Sequence, residues 1–183
     1  MRQLTTVRLV ARPPLPGDAD ALVAIFRHPG VACWFWGRLP DDDDIATMLA
    51  RDREHWREHG FGRWYWAERG SEEVVAKCGP RFKVVEGTEE LSMHWTVRPD
   101  RHRRGIAAEA VEAAVTDAFQ QVGCASLVAI AHVDNRASQA LAERTGFHRE
   151  RRVRDHGEPC VLFRRYNEAS ASLNASSSPS SIE

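Results

Sequence analysis

Apolar and polar residues alternate along this chain with two periods, near two and near 3.6, and the switches between them mark out its elements. Val7, Leu9 and Ala11 alternate with Arg8, Val10 and Arg12, which predicts a first strand over 7–12, closed by Pro13-Pro14. A short helix follows, with Asp18 or its neighbour as cap and Leu22, Ile25 and Phe26 on one face. Asp41 to Asp44 open a longer helix, where carboxylates meet the positive end of the helix dipole; it runs to about His59, before Gly60. Residues 63–69 and 73–79 predict a hairpin around Gly70-Ser71, and a further strand spans about 89–97. From near Gly105, Ala107, Val111, Ala114, Val115, Ala118 and Val122 form one helical stripe while Glu109, Glu112, Thr116 and Gln120 face away, and Gly123 stops the helix. The apolar run 127–133 has the look of a strand covered on both faces. Asn135 then caps a short helix ending at Gly146, and two last strands, about 147–154 and 160–165, flank a turn at 155–159.

This order predicts a mixed, mostly antiparallel central sheet with helices on both faces. The unit from 89 to 133 demands one parallel pairing, because its crossover contains a helix. Residues 1–166 are read as one domain. From Asn167 the chain turns Ser- and Ala-rich, and 167–183 are expected to form a disordered tail that buries too little apolar surface to offset its ordering entropy.

Composition narrows the function classes. A formal net charge of −1 over 183 residues argues against a coat for nucleic acid or an anionic membrane. Residues 1–16 lack an apolar core of signal-peptide length, and no stretch approaches a membrane span. Cys33, Cys78, Cys124 and Cys160 stand far apart without a C-x-x-C pair, which fits reduced thiols in a cytoplasmic protein. The sequon at Asn174 is read as chance. His55 and His59 spell H-x-x-E-H, but no third ligand is identifiable, so no metal is expected.

The chemistry concentrates between Val97 and Ala107, where a strand runs through Arg98, Arg101, His102, Arg103, Arg104 and Gly105 into the longest apolar helical stripe. Backbone N–H groups at a helix N-terminus have no intrahelical partner, and the dipole adds positive charge there, so the loop is a candidate anion site, weighed equally against a plain basic surface loop with a helix-starting glycine. The small Gly105 and Ala107 leave the amides open. No Lys-Ser or Lys-Thr follows the glycine, which excludes a P-loop, and a single glycine excludes a Rossmann turn.

With His102-x-x-Gly105-x-Ala107 the loop resembles the pyrophosphate-binding pattern of the GNAT N-acetyltransferases. Three further stretches resemble the RimJ/RimL-like branch of that family, in its order: Thr6 to Pro13, Ala107-Ala108-Glu109-Ala110, and Asn135-Arg136-Ala137-Ser138 followed by Gly146-Phe147. The resemblance implies the acyl-CoA N-acyltransferase fold and direct acetyl transfer from acetyl-CoA to an amine, either a small molecule or a protein N-terminus. It places the phosphates on the amides of Arg103, Arg104, Gly105, Ile106, Ala107 and Ala108, beside His102. The pantetheine arm would lie along Val97 and near Asn135.

An attacking amine must be unprotonated, so a base is needed, together with an acid for the leaving thiolate. Glu90, Ser92, His94 and Thr96 share one face of the strand before the loop, a polar face that a solvated cleft would explain, and Glu90 and His94 are the base candidates. The family's usual Tyr, seven residues after the Asn, is Ala142 here, which leaves Ser138 as the candidate acid, with a capping role weighed equally. Trp34 and Trp36, in the connection after the first helix, are candidates for the acceptor site. A homodimer is compatible with this reading. Two alternatives stay open: a non-catalytic acyl-CoA-binding module on the same fold, and, more weakly, a nucleic-acid binder using the arginines of 98–104.

Overall fold

In the computed structural model, residues 2–35 and 37–168 are described. Trp36 and most of the expected tail, 169–183, lie outside them. The elements are β1 (Leu4–Thr5), β2 (Leu9–Arg12), α1 (Ala19–Phe26), α2 (Pro29–Ala32), α3 (Asp42–His59), β3 (Trp64–Glu68), β4 (Val74–Val85), β5 (Thr88–Val97), α4 (Ile106–Asp117, continued by a π turn over Ala118–Val122), β6 (Ser126–His132), α5 (Arg136–Arg144), β7 (His148–Asp155) and β8 (Glu158–Tyr166). The strands form one sheet in the order β1-β2-β3-β4-β5-β6-β8-β7. Every pairing is antiparallel except β5–β6, the parallel pair that the helical crossover required. No helix among the described residues is long and apolar enough to cross a membrane.

Alternation along β3 shows how the two layers are assigned. Trp64 and Trp66, both fully buried, pack with Ala110, Val111, Ala114 and Val115 of α4, while the intervening Tyr65 packs with Leu22, Ile25 and Phe26 of α1 and Ile45 and Leu49 of α3. The sheet is therefore covered on both faces, with α4 and α5 on one and α1 to α3 on the other. Helix α3 begins where its run of aspartates predicts, in a capping box: Asp41 accepts from the Asp44 amide at 2.9 Å, and Asp44 accepts from the Asp41 amide at 2.9 Å.

Four expectations are corrected. Val7 is 85% exposed, because 6–8 turn between β1 and β2 instead of extending a single strand. Asp18 precedes α1, but its carboxylate accepts from Arg12 and the Leu15 amide and does not cap the helix. Strand β4 runs on to Val85, through Pro80 and past the expected end at Gly79. Its neighbour β3 pairs no further than Cys78, so Pro80 lies where β4 is bonded on one side only and a missing N–H breaks no ladder. Glu109 does not face solvent: it binds Thr6 and Arg8 and ties the β1–β2 turn to α4.

Candidate active site

Strands β5 and β6 pair at only two registers, Ser92 with Val128 and Met93 with Ala129, although β5 continues to Val97 and β6 to His132. The strands part beyond those two rungs. A cleft of about 700 Å³ opens between their ends, bounded also by the loop into α4, by α5, and by α2 with the residues that follow it.

One end of the cleft is the start of α4. Gly105 takes φ +78°, a left-handed conformation that costs other residues about 1–2 kcal/mol, and Arg103 takes φ +60°. The first bond of the helix runs from the Glu109 amide to the Gly105 carbonyl at 3.1 Å, so the amides of 106–108 precede any intrahelical partner. Two side chains hold the loop in this shape. His102 Nε2 lies 2.8 Å from the Val97 carbonyl, and Arg8 donates to the Arg104 carbonyl at 2.7 Å. Open amides, the helix dipole and no side chain at Gly105 suit a diphosphate.

The other end is reactive in character. His94 is half-buried between Phe26 and Phe35, with ring centroids at 6.2 and 5.5 Å, and its Nε2 lies 2.9 Å from Thr96 Oγ1. Burial holds its basicity well below the usual histidine range, and the cations of Arg63, Lys77, Arg81 and Lys83 push the same way. On the opposite face of β5, Trp95 Nε1 donates to Ser138 Oγ at 3.1 Å. The Ser138 amide in turn donates to Asn135 Oδ1 at 3.1 Å, so Asn135 caps α5 and the Ser138 hydroxyl is not spent on capping.

The cleft thus gathers His94, Val97, His102, Arg103, Gly105, Ile106, Ala107, Ala108, Asn135, Ser138 and Trp34 from the residues that the sequence singles out. Arg104 does not line it, and neither does Glu90. Glu90 sits toward the other end of β5, bound by both terminal nitrogens of Arg164 at 3.0 and 2.7 Å, and these bonds hold its carboxylate below the usual range despite partial burial. The polar face of β5 is only partly cleft: His94 and Thr96 line it, whereas Ser92 is buried outside it, on the side where Lys77 lies 2.6 Å from Asp52. His55 and His59 are equally remote, and the two nitrogens of His55 meet the Phe61 carbonyl and the Phe82 amide.

A family model for the acetyltransferase (GNAT) domain matches residues 8–148. The chain belongs to the GNAT acetyltransferase family. It is 23% identical over 154 residues to the uncharacterized N-acetyltransferase YoaA of Bacillus subtilis, covering 84% of this chain and 86% of that one. A putative GnaT-family acetyltransferase from Bordetella pertussis superimposes with a TM-score of 0.77 at 25% identity, over 90% of this chain and 99% of that chain. The ribosomal-protein-S5-alanine acetyltransferase from Vibrio fischeri shares the fold, with a TM-score of 0.72 at 12% identity over 92% and 98%.

In this acetyltransferase, sequence reasoning does not single out several residues of the cleft wall, among them Phe35, Thr96 and His132. Phe35 lies between the two tryptophans singled out, and Thr96 shares the His94 face. His132 carries no sequence signal, since it closes an apolar run and becomes a wall residue only because β6 turns away from β5.

Proposed function

We propose that this acetyltransferase carries the acetyl group of acetyl-CoA to an amine held beside His94, by direct attack while both are bound. The observation that carries this reading is one continuous cleft running from the open N-terminus of α4 to His94. When bound, acetyl-CoA supplies an acetyl thioester. The amides of 103–108 hold its diphosphate, while Val97 and Asn135 border the pantetheine arm. With its Nε2–H donated to Thr96 Oγ1, His94 keeps Nδ1 free to accept the ammonium proton, and its depressed basicity leaves the ring neutral at pH 7. Ser138, accepting from Trp95, keeps its own O–H to donate to the leaving sulfur. Glu90 has no part in this reading. A cytoplasmic setting, where acetyl-CoA is available, accords with it.

The test is coenzyme A release from acetyl-CoA across a panel of amines and N-terminal peptides. His94→Gln is expected to lower kcat roughly 10²-fold while the acetyl-CoA affinity and melting temperature hold. An unchanged kcat in a folded His94→Gln protein removes His94 from the reaction.

A further inference from the structure

The acceptor side of the cleft is walled by rings. Trp34 and Phe35, consecutive in the chain, reach opposite strands of the gap. Trp34 lies 5.8 Å from the His132 ring of β6, and Phe35 lies 5.5 Å from the His94 ring of β5. Phe35 also meets Phe26 edge-on at 5.4 Å. Two aromatic contacts thus span the place where the sheet divides. Trp34 and Phe35 are 40% and 42% exposed, whereas Trp64, Tyr65 and Trp66 are completely buried. A molecule that covers the exposed part of these rings would bury apolar area and add ring contacts.

Charge points the same way. Among the described residues that line the cleft none is acidic. Asp134 and Glu158 lie 3.8 Å from the two ring nitrogens of His132, but neither lines the cleft. A substrate with several ammonium groups finds no carboxylate in this wall to balance them, and an unbalanced charge in a partly desolvated site is costly. A single amine is different, because it must lose its proton before attack.

Resting on the acetyl transfer proposed above, we infer that the acceptor is a primary amine on a flat aromatic body with no second cationic centre, seated between Trp34, Phe35, His94 and His132. Trp34 and Phe35 are then specificity-determining residues. They act on acceptor binding and not on the acetyl donor.

The probes are tryptamine and 2-phenylethylamine as aromatic amines, ethanolamine as a small one, spermidine and an aminoglycoside as polycations, and a peptide with an N-terminal alanine. We expect kcat/KM for the aromatic amines to exceed that of every other probe about tenfold or more. We expect Trp34→Ala to cut the tryptamine-to-ethanolamine ratio about tenfold through KM, and Trp34→Phe to restore most of it. Trp34 is partly exposed, so both variants should fold, and melting curves with and without acetyl-CoA verify the fold and donor binding. Faster transfer to spermidine, the aminoglycoside or the peptide overturns the inference and leaves acetyl transfer standing. A protein that binds acetyl-CoA but acetylates none of the probes overturns both.

Discussion

Ser138 and Asn135 lie three residues apart at the start of α5, and their division of labour sets distinct expectations. Asn135 caps the helix and Ser138 only donates its amide to that cap. Asn135→Ala should therefore lose about 1 kcal/mol of stability, read as a lower denaturant midpoint. Ser138→Ala keeps the cap but leaves the Trp95 indole N–H without its acceptor, and it removes the proton donor proposed for the thiolate. Its turnover should fall on the order of 10²-fold at every pH tested, with only a small change in midpoint. Wild-type turnover in Ser138→Ala would reduce Ser138 to a strut for Trp95. At this scale the sequence is legible where chemistry depends on the backbone. The helix start at Gly105 demands little more than a small residue and a helix behind it. Side-chain roles are less legible. Glu90 and His94 share a strand face and look equivalent in the sequence, and only the place where β6 leaves β5 puts His94 in the cleft while Glu90 stays with Arg164.

Among the elements, the turn into α4 is closely constrained. A Cβ at Gly105 would stand 3.1 Å from Arg8 Nη2, the guanidinium that also holds the Arg104 carbonyl and Glu109. Gly105→Ala is expected to cost about 1–2 kcal/mol for the left-handed conformation alone. It should also weaken acetyl-CoA binding, by displacing the loop that Arg8 organises. Arg8→Ala should reproduce part of the affinity loss without the backbone strain, so calorimetry on the two variants separates the causes. Periodicity made most elements readable, and α3 most clearly, since an acidic first turn and a terminal glycine flank its whole length. It failed where neighbours override local signals: Pro80 is allowed inside β4 because β3 has ended, and Val7 turns outward between two short strands.

For the molecule as a whole, the groups buried on the α1–α3 face make its stability depend on pH. Burial lowers the pKa of His94 and also that of His55, and it brings Lys77 down to about 7 against the pull of Asp52. In each case the unfolded chain binds the proton more readily, so the stabilisation is present above the unfolded value and is lost as pH falls toward the folded one. For the histidines the loss begins near pH 6.5, and for Lys77 it lies between about 10.5 and about 7. The melting temperature should therefore fall steadily from pH 8 to pH 5, and His94→Gln should flatten the part below 6.5. Parallel slopes in wild type and variant would mean that His94 titrates normally. The two-rung junction of β5 and β6 has a mechanical meaning as well. Everything from β1 to β5 is joined edge to edge with β6, β7 and β8 through two residue pairs, so the sheet has a seam. A molecule lying along the parted edges of His94–Val97 and 130–132 would bridge the seam as a borrowed strand does, and in its absence those amides of the two stretches that face the gap, and not β4 or β8, should exchange early with deuterated solvent.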